Sequence, residues 1–458
     1  MPRPLLRPAR LRLEWMGVVI GEIIRDVVLC TVAHMEIPLK SYLTEILDRV
    51  RDRDSGAVAD YIPELAAADP TPLAVALCTS AGRVYSAGDD EREFSIQSIS
   101  KSFTYAIALQ EVGVEKVLGT VGMEPSGEAF NELSLEGGTH RPVNPMINAG
   151  AIAVNQLING EDSSVDARVT VLLDYFSRLA GRELHIDERI TGSELATADR
   201  NLSLAHMLRS YGVIAGSAAD AVTGYVRQCS VLVTVRDLAV MGATLALGGR
   251  QPVTGEQVLD PRVCRQVQAV MASAGMYDGA GRWMASVGIP AKSGVAGGLM
   301  GTLPGQLGLA TFSPRLDSSG NSVRGAEIFR ILSEDMGLHL MSALPSTGSA
   351  VRSIRTRGPV TVIRLQGGLG FTGAEDFLAA AAAHELTTVR VVVDMRRVSD
   401  IDAFGREMVL EGLRRIRTDG HRIAVIDPDH LLGDRRLGDG TTVEETDEVA
   451  VEVADEVK

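Results

Sequence analysis

Lysine is scarce in this chain: five lysines stand against 40 arginines among 458 residues. An exposed cationic position accepts either residue, but only the lysine amine can lose its proton on burial, so the few lysines mark places where an amine is wanted. Basic charge is short overall, with a formal net charge of −14. That argues against nucleic acid or an anionic membrane as the main partner, since both need a basic footprint. Cysteine is sparse as well. Cys30, Cys78, Cys229 and Cys264 lie far apart without C-x-x-C spacing, so neither a disulfide framework nor a structural zinc site is indicated, and reduced thiols in a cytoplasmic protein are expected. The N-terminal run WMGVVIGEIIRDVVLCTVA is broken by Glu22, Arg25 and Asp26, too charged for a membrane span and without a small-residue cleavage site. Residues 1–35 are read as a poorly ordered extension, with the chain proper starting near Met35.

Beyond these shortages, the length exceeds one ordinary core, and two domains are expected. Apolar residues recur at helical spacing from Ile37 to about Val50, and PLAVALCTSAGRVYSAGD reads as a hairpin around Ala81-Gly82. Ile99, Phe103, Ala106 and Ile107 form a helical stripe after Ser98. Further helices are predicted at 168–180, 202–211, 235–248 and 261–273, with strands at 284–290 and 306–313. Strands at both ends with helices between them predict an α+β layer with a helical insertion over 36–342. The segment ALPSTGSAVRSIRTRGP, starting at Ala343, lacks an apolar period and is read as a linker, narrowest at 343–351. Strand and helix patterns then alternate over 352–438, predicting a small α/β domain, and 439–458 reads as an acidic disordered tail.

Two of the five lysines fall in segments with chemical promise. In FSIQSISKSF, Ser98 and Lys101 stand three apart, on one face of a helix, where the helix start favours an alkoxide and a neutral amine. S-x-x-K is a signature of serine acyl-transfer enzymes of the β-lactamase and penicillin-binding class. Lys292 lies in PAKSGVAGG after the strand-like RWMASVGIP, a setting where glycines let backbone N–H groups approach a substrate oxygen. Singly, each has a plainer reading: a capping serine with a surface lysine, and a turn lysine before Gly294. No G-x-S-x-G elbow occurs, and His384-Glu385 lacks a second zincin histidine. Gly368, Gly370 and Gly373 spell G-x-G-x-x-G with Asp394 about 20 residues on, but the domain is too short for a dinucleotide site and the glycines suit a hairpin turn before a helix.

From about Tyr42 to His339 the chain resembles a bacterial glutaminase of the serine-dependent, β-lactamase-like fold. The resemblance rests on ADYIPELA, IQSISK, NPMINAGAI, SELATADRN, YVRQCSV, MYDGAGRW, PAKSGVAGG and GNSVRG, in that order. It implies an antiparallel sheet plus a helical subdomain, hydrolysis of L-glutamine to L-glutamate and ammonia, no metal or organic cofactor, and a homo-oligomer, dimer or tetramer. By matching position it implies Ser98 as nucleophile, Lys101 as its base, Tyr225 and Tyr277 as proton-handling or orienting groups, and the Ser98 and Val295 N–H groups as oxyanion donors. Tyr61, Gln97, Asn148, Glu194, Asn201 and Ser293 would complete the substrate pocket, with Glu194 answering an α-ammonium and Tyr61, Asn148 and Asn201 an α-carboxylate. Residues 352–432 resemble a STAS domain, in which VVVDMRRVSDIDAFG puts Ala403 and Phe404 where antagonists of that family offer a phosphorylatable serine before the glycine. A regulatory or assembly role with a protein partner follows. Two rival readings are a β-lactamase or penicillin-binding-type hydrolase and a catalytically silent STAS scaffold.

Overall fold

The computed structural model describes residues 39–128, 132–160, 162–342 and 349–446; the expected extension at 1–35 and most of the linker lie outside them. The chain divides into two compact units at Ser342/Ala343. Among the described residues no helix is long and apolar enough to cross a membrane.

In the first unit, helix α1 (Leu39–Val50) precedes the hairpin β1 (Ala74–Thr79) and β2 (Val84–Gly88), then β3 (Phe94–Ser95) and a 3-10 turn at Gln97–Ile99. Helices α2 (Ser100–Val112), α3 (Asn148–Asn155) and α4 (Val165–Ala180) follow, then β4 (His185–Ile186), α5 (Glu188–Ala196), α6 (Asp199–Ser210), α7 (Ala218–Cys229), β5 (Val231–Val233), α8 (Val235–Ala246) and α9 (Pro261–Ala274). The unit closes with α10 (Ala280–Ser286), β6 (Ala291–Ser293), β7 (Gly298–Leu303), β8 (Leu307–Phe312) and α11 (Val323–Met336).

The main sheet runs β2-β1-β8-β7-β6, antiparallel throughout. Its side chains alternate between two cores, as a period of two requires. Val75 and Leu77 of β1 and Leu307 and Leu309 of β8 join Leu43, Ile46, Trp283, Ile328 and Phe329 on one face. Ala74, Ala76, Ala310 and Phe312 face the helical body on the other. There α8 lies almost in contact with the sheet backbone: a Cβ on Gly308 would stand 2.1 Å from the Ala239 carbonyl oxygen. Helix α2 is buried from Ser100 through Leu109, the mark of a central helix.

The second unit carries a separate core around Ile363, Phe377, Val393 and Leu413. Its sheet runs β13-β12-β11-β10-β9, where β9 is Val351–Arg357, β10 Val360–Leu369, β11 Arg390–Ile401, β12 Arg422–Ile426 and β13 Glu444–Glu445. Strands β10 to β13 are parallel and β9 antiparallel. Helices α12 (Phe371–Ala383) and α13 (Ala403–Thr418) cross between the parallel strands.

Four expectations need correction. The strand read at 284–290 is in part helix α10, whose buried Ala280 and Trp283 together with Val287 recur at helical spacing; the Trp283 indole N–H then caps the following turn on the Ile289 carbonyl at 2.7 Å. The linker candidate contains β9, a polar edge strand with exposed Arg352, Arg355 and Arg357, and such edges carry no hydrophobic alternation to read. The stretch 439–446, assigned to a tail, is ordered. Val443 is buried in the second unit's core, and Thr446 N–H donates to Val425 O at 2.9 Å. The G-x-G-x-x-G glycines lie at a strand-to-helix junction, β10 into α12, and not at a hairpin turn.

Candidate active site

A cavity of about 300 Å³ opens between α3, α5, α6, α7 and the 3-10 turn, lined by Tyr61, Gln97, Ser98, Asn148, Glu194 and Asn201, with Tyr225 and Val295 beside them. Eight of the eleven residues that the resemblance names thus line one cavity; Lys101, Tyr277 and Ser293 do not. Several are placed by element ends or turns. Ser98 sits in the 3-10 turn that leads into α2, Asn148 opens α3, Tyr225 and Cys229 stand one turn apart on α7, and Val295 follows β6. Gln97 and Tyr277 are non-glycine residues at φ 49° and 54°, a backbone region that costs energy and concentrates at functional sites.

Lys101 is fully buried, and loss of water lowers its amine from the ordinary 10.5 to about 8, a shift that a negative charge on Cys229 would oppose. Its Nζ donates to Asn148 Oδ1 at 2.6 Å, and Asn148 Nδ2 in turn donates to Asn201 Oδ1 at 3.0 Å. The Tyr225 hydroxyl donates to the same Asn148 oxygen at 3.3 Å. Lys101 makes no hydrogen bond to Ser98 among the described residues; its amine is held by the Asn148 amide. Nζ stands 5.7 Å and 5.9 Å from the ring centroids of Tyr225 and Tyr277.

Lys292 and Tyr277 lie outside the cavity lining. Burial first, and the Lys101 charge second, push the Lys292 amine well below its usual range. It donates to the Tyr277 hydroxyl at 2.7 Å and to the Ser293 carbonyl at 2.9 Å. Burial raises the Tyr277 phenol, and Ser98 beside it offsets part of the rise. Two buried amines with lowered pKa thus belong to the site, Lys101 bonded to Asn148 in the cavity lining and Lys292 bonded to Tyr277, which itself meets Ser98. Ser293 is buried on β6, outside the lining, with Oγ unpartnered among the described residues.

Glu194 is the cavity's carboxylate. Burial raises its pKa, opposed by hydrogen bonds to Oε1 from the Tyr61 hydroxyl at 2.9 Å and Gln97 Nε2 at 3.2 Å. Tyr61 is 45 % exposed as a residue, yet its hydroxyl end reaches into the cavity, a common division of labour for this amphipathic side chain. No arginine or lysine pairs with Glu194 among the described residues. Arg200 at the cavity edge pairs with Glu132 at 2.8 Å.

Sequence reasoning missed Thr197, Arg200, Val226 and Cys229 in the lining. The four-residue spacing from Tyr225 could have found Cys229, since i and i+4 share a helix face. Burial pushes this thiol up to about 11, which keeps it neutral. Asp394, the acid that follows the glycine motif of the second unit, is bonded to Arg396 at 2.8 Å, with Arg364 at 3.7 Å.

A family model described as Glutaminase matches residues 56–341. The glutaminase of Corynebacterium efficiens is 61% identical over 418 residues, covering 91% of this chain and 99% of its own length. That of Corynebacterium glutamicum is 60% identical over 411 residues, covering 90% and 99%. An alignment of 418 residues exceeds the 342 of the first unit, so it continues into the second. The glutaminase of Clavibacter michiganensis is 47% identical over 311 residues, covering 68% of this chain and 94% of its own. Among solved structures, one described as "Crystal Structure Analysis of Mglu" has a TM-score of 0.81 at 52% identity, covering 87% of this chain and 100% of that one. A probable glutaminase, ybaS, has a TM-score of 0.64 at 38% identity, covering 67% and 98%.

Proposed function

The chain belongs to the glutaminase family, and from that premise we propose that it hydrolyses L-glutamine to L-glutamate and ammonia by a Ser-Lys acyl-enzyme route. The observation that carries the mechanism is Lys101, a fully buried amine lowered to about 8 and held by an amide oxygen one helical turn from Ser98. In its neutral form Lys101 takes the Ser98 proton as Oγ attacks the side-chain amide carbon. The oxyanion is received by the N–H groups of Ser98 and Val295, each worth about 3–4 kcal/mol; the Val295 N–H has no other partner among the described residues. Tyr277, backed by Lys292, and Tyr225 pass a proton to the leaving nitrogen, ammonia departs, and water cleaves the glutamyl ester to release glutamate and restore Ser98. Glu194 supplies the counter-charge for the substrate ammonium, and Asn148, Asn201 and Tyr61 the bonds to its carboxylate; Ser293 serves the same pocket from β6. A polar pocket of this kind rejects ligands that leave its buried groups unpaired.

The test is ammonia release from glutamine and from asparagine, with a chromogenic β-lactam in parallel. Turnover of glutamine without β-lactam hydrolysis is expected, and the asparagine rate measures how strictly the pocket selects chain length; β-lactam hydrolysis without ammonia release would favour the penicillin-binding reading.

The second unit is read as a STAS-like module for regulation or protein interaction. Its parallel β10-β11-β12 core with two crossover helices supports this. The first turn of α13 offers Ala403 and an exposed Phe404, with no hydroxyl to phosphorylate, so contact and not phosphorylation would carry its signal. A cytoplasmic homo-oligomer, dimer or tetramer, completes the proposal, and sedimentation of the full chain tests the assembly.

A further inference from the structure

The peptide bond between Gln97 and Ser98 joins a strained residue to the proposed nucleophile. The Gln97 side chain is tied by Nε2 to Ser95 Oγ at 3.1 Å and to Glu194. The Gln97 backbone carbonyl oxygen accepts from Ser100 Oγ at 2.6 Å, in addition to the Ser100 backbone N–H of the turn. Ser100 Oγ accepts from Gln228 Nε2 at 3.0 Å, and Gln228 Oε1 accepts from Asn155 Nδ2 at 3.0 Å. These three side chains come from α2, α7 and α3, are at most 1% exposed, and stand outside the cavity lining. Helix α7 makes room for the last of them: a Cβ on Gly224 would lie 2.5 Å from Asn155 Oδ1.

A trans peptide is planar, and its C=O and N–H point in opposite directions. Whatever holds the Gln97 carbonyl therefore also aims the Ser98 N–H. We propose that Asn155, Gln228 and Ser100 are positioning residues for the oxyanion site, orienting the Ser98 N–H through the Gln97 carbonyl. This rests on the reading of Ser98 as nucleophile and adds three residues that touch no substrate. An amide turned off its line is lost to the transition state while ground-state contacts at Glu194 and Asn201 persist.

Ser100→Ala and Gln228→Met in the full chain test it, the second serving where the first does not fold. Per titrated active site, kcat is expected to fall about 10- to 100-fold for Ser100→Ala and about 5- to 10-fold for Gln228→Met, with KM within about twofold. Affinity for a tetrahedral phosphonate analogue of glutamine should weaken by the same factor as kcat/KM, and affinity for L-glutamate should not change. A lower melting temperature with kcat per site and phosphonate affinity intact would overturn the proposal, leaving a purely structural role. A wild-type chain inert toward glutamine would instead overturn the parent reading, and this one with it.

Discussion

Each unit buries one carboxylate whose environment shifts its pKa, and the two shifts have opposite signs. Asp394 in the second unit loses water on burial, but two bonds from the Arg396 side chain and the charges of Arg396 and Arg364 more than compensate, and its pKa is lowered. Among the described residues, Glu194 in the first unit is bonded by its side chain to the neutral Tyr61 and Gln97 alone, and its pKa is raised. A carboxylate with its cation built in is a finished structural element; one held by neutral donors stores a desolvation cost that an arriving cation relieves. The same contrast runs through the amines. Lys101 and Lys292 are buried against an amide, a phenol and a carbonyl, whereas the second unit's arginines mostly meet acids at the surface, as Arg414 and Arg415 meet Glu411.

The largest effect expected from this comparison is at Lys101. Replacing it by arginine keeps the charge and removes the neutral amine, so kcat for ammonia release should fall about 10²- to 10⁴-fold in a steady-state assay. Near-normal turnover would mean that the charge, and not the amine, matters.

Next come the paired carboxylates. Glu194→Gln should cost about 10- to 100-fold in kcat/KM, mainly through KM, while leaving the melting temperature unchanged or higher. Asp394→Asn should do the reverse, costing about 1–3 kcal/mol in a urea melt of the second unit, reduced by the solvent around Arg396, with turnover untouched. Equal behaviour of the two variants would dissolve the distinction drawn here.

The pH dependence follows from Lys101, and its sign can be worked out. The folded amine titrates near 8 and the ordinary value is 10.5, so between these limits the unfolded chain binds more protons. Stability should therefore rise with pH across that window, by about 3 kcal/mol for this group, and flatten below it. Over the same approach kcat/KM should climb and level off above about pH 8, as the base becomes neutral. Chemical melts and rates at pH 7 to 10 check both, and Lys101→Met should flatten the stability slope. The smallest effect is assigned to the second unit: a chain ending at Ser342 should keep kcat/KM within about threefold, since the first unit owns its core.

Much of this was readable before the structure because the signals were local. Lysine rarity and the three-residue spacing marked Ser98 and Lys101, and the helices at 168–180, 202–211, 235–248 and 261–273 emerged as α4, α6, α8 and α9, with ends shifted by three residues at most. The tertiary partnerships were not readable. Nothing in the order of residues says that Lys101 bonds Asn148, 47 positions away, or that Tyr277 receives Lys292. Elements whose apolar pattern is short or absent were misread: α10 for a strand, β9 for a linker. The strain at Gln97 was equally hidden, since a positive φ at a non-glycine residue is imposed by its surroundings.

The account stands most directly on Ser98→Ala. With circular dichroism and melting temperature matching the unmodified chain, that variant is predicted to release no ammonia from glutamine above the uncatalysed rate. Turnover retained within an order of magnitude would contradict the assignment of the nucleophile.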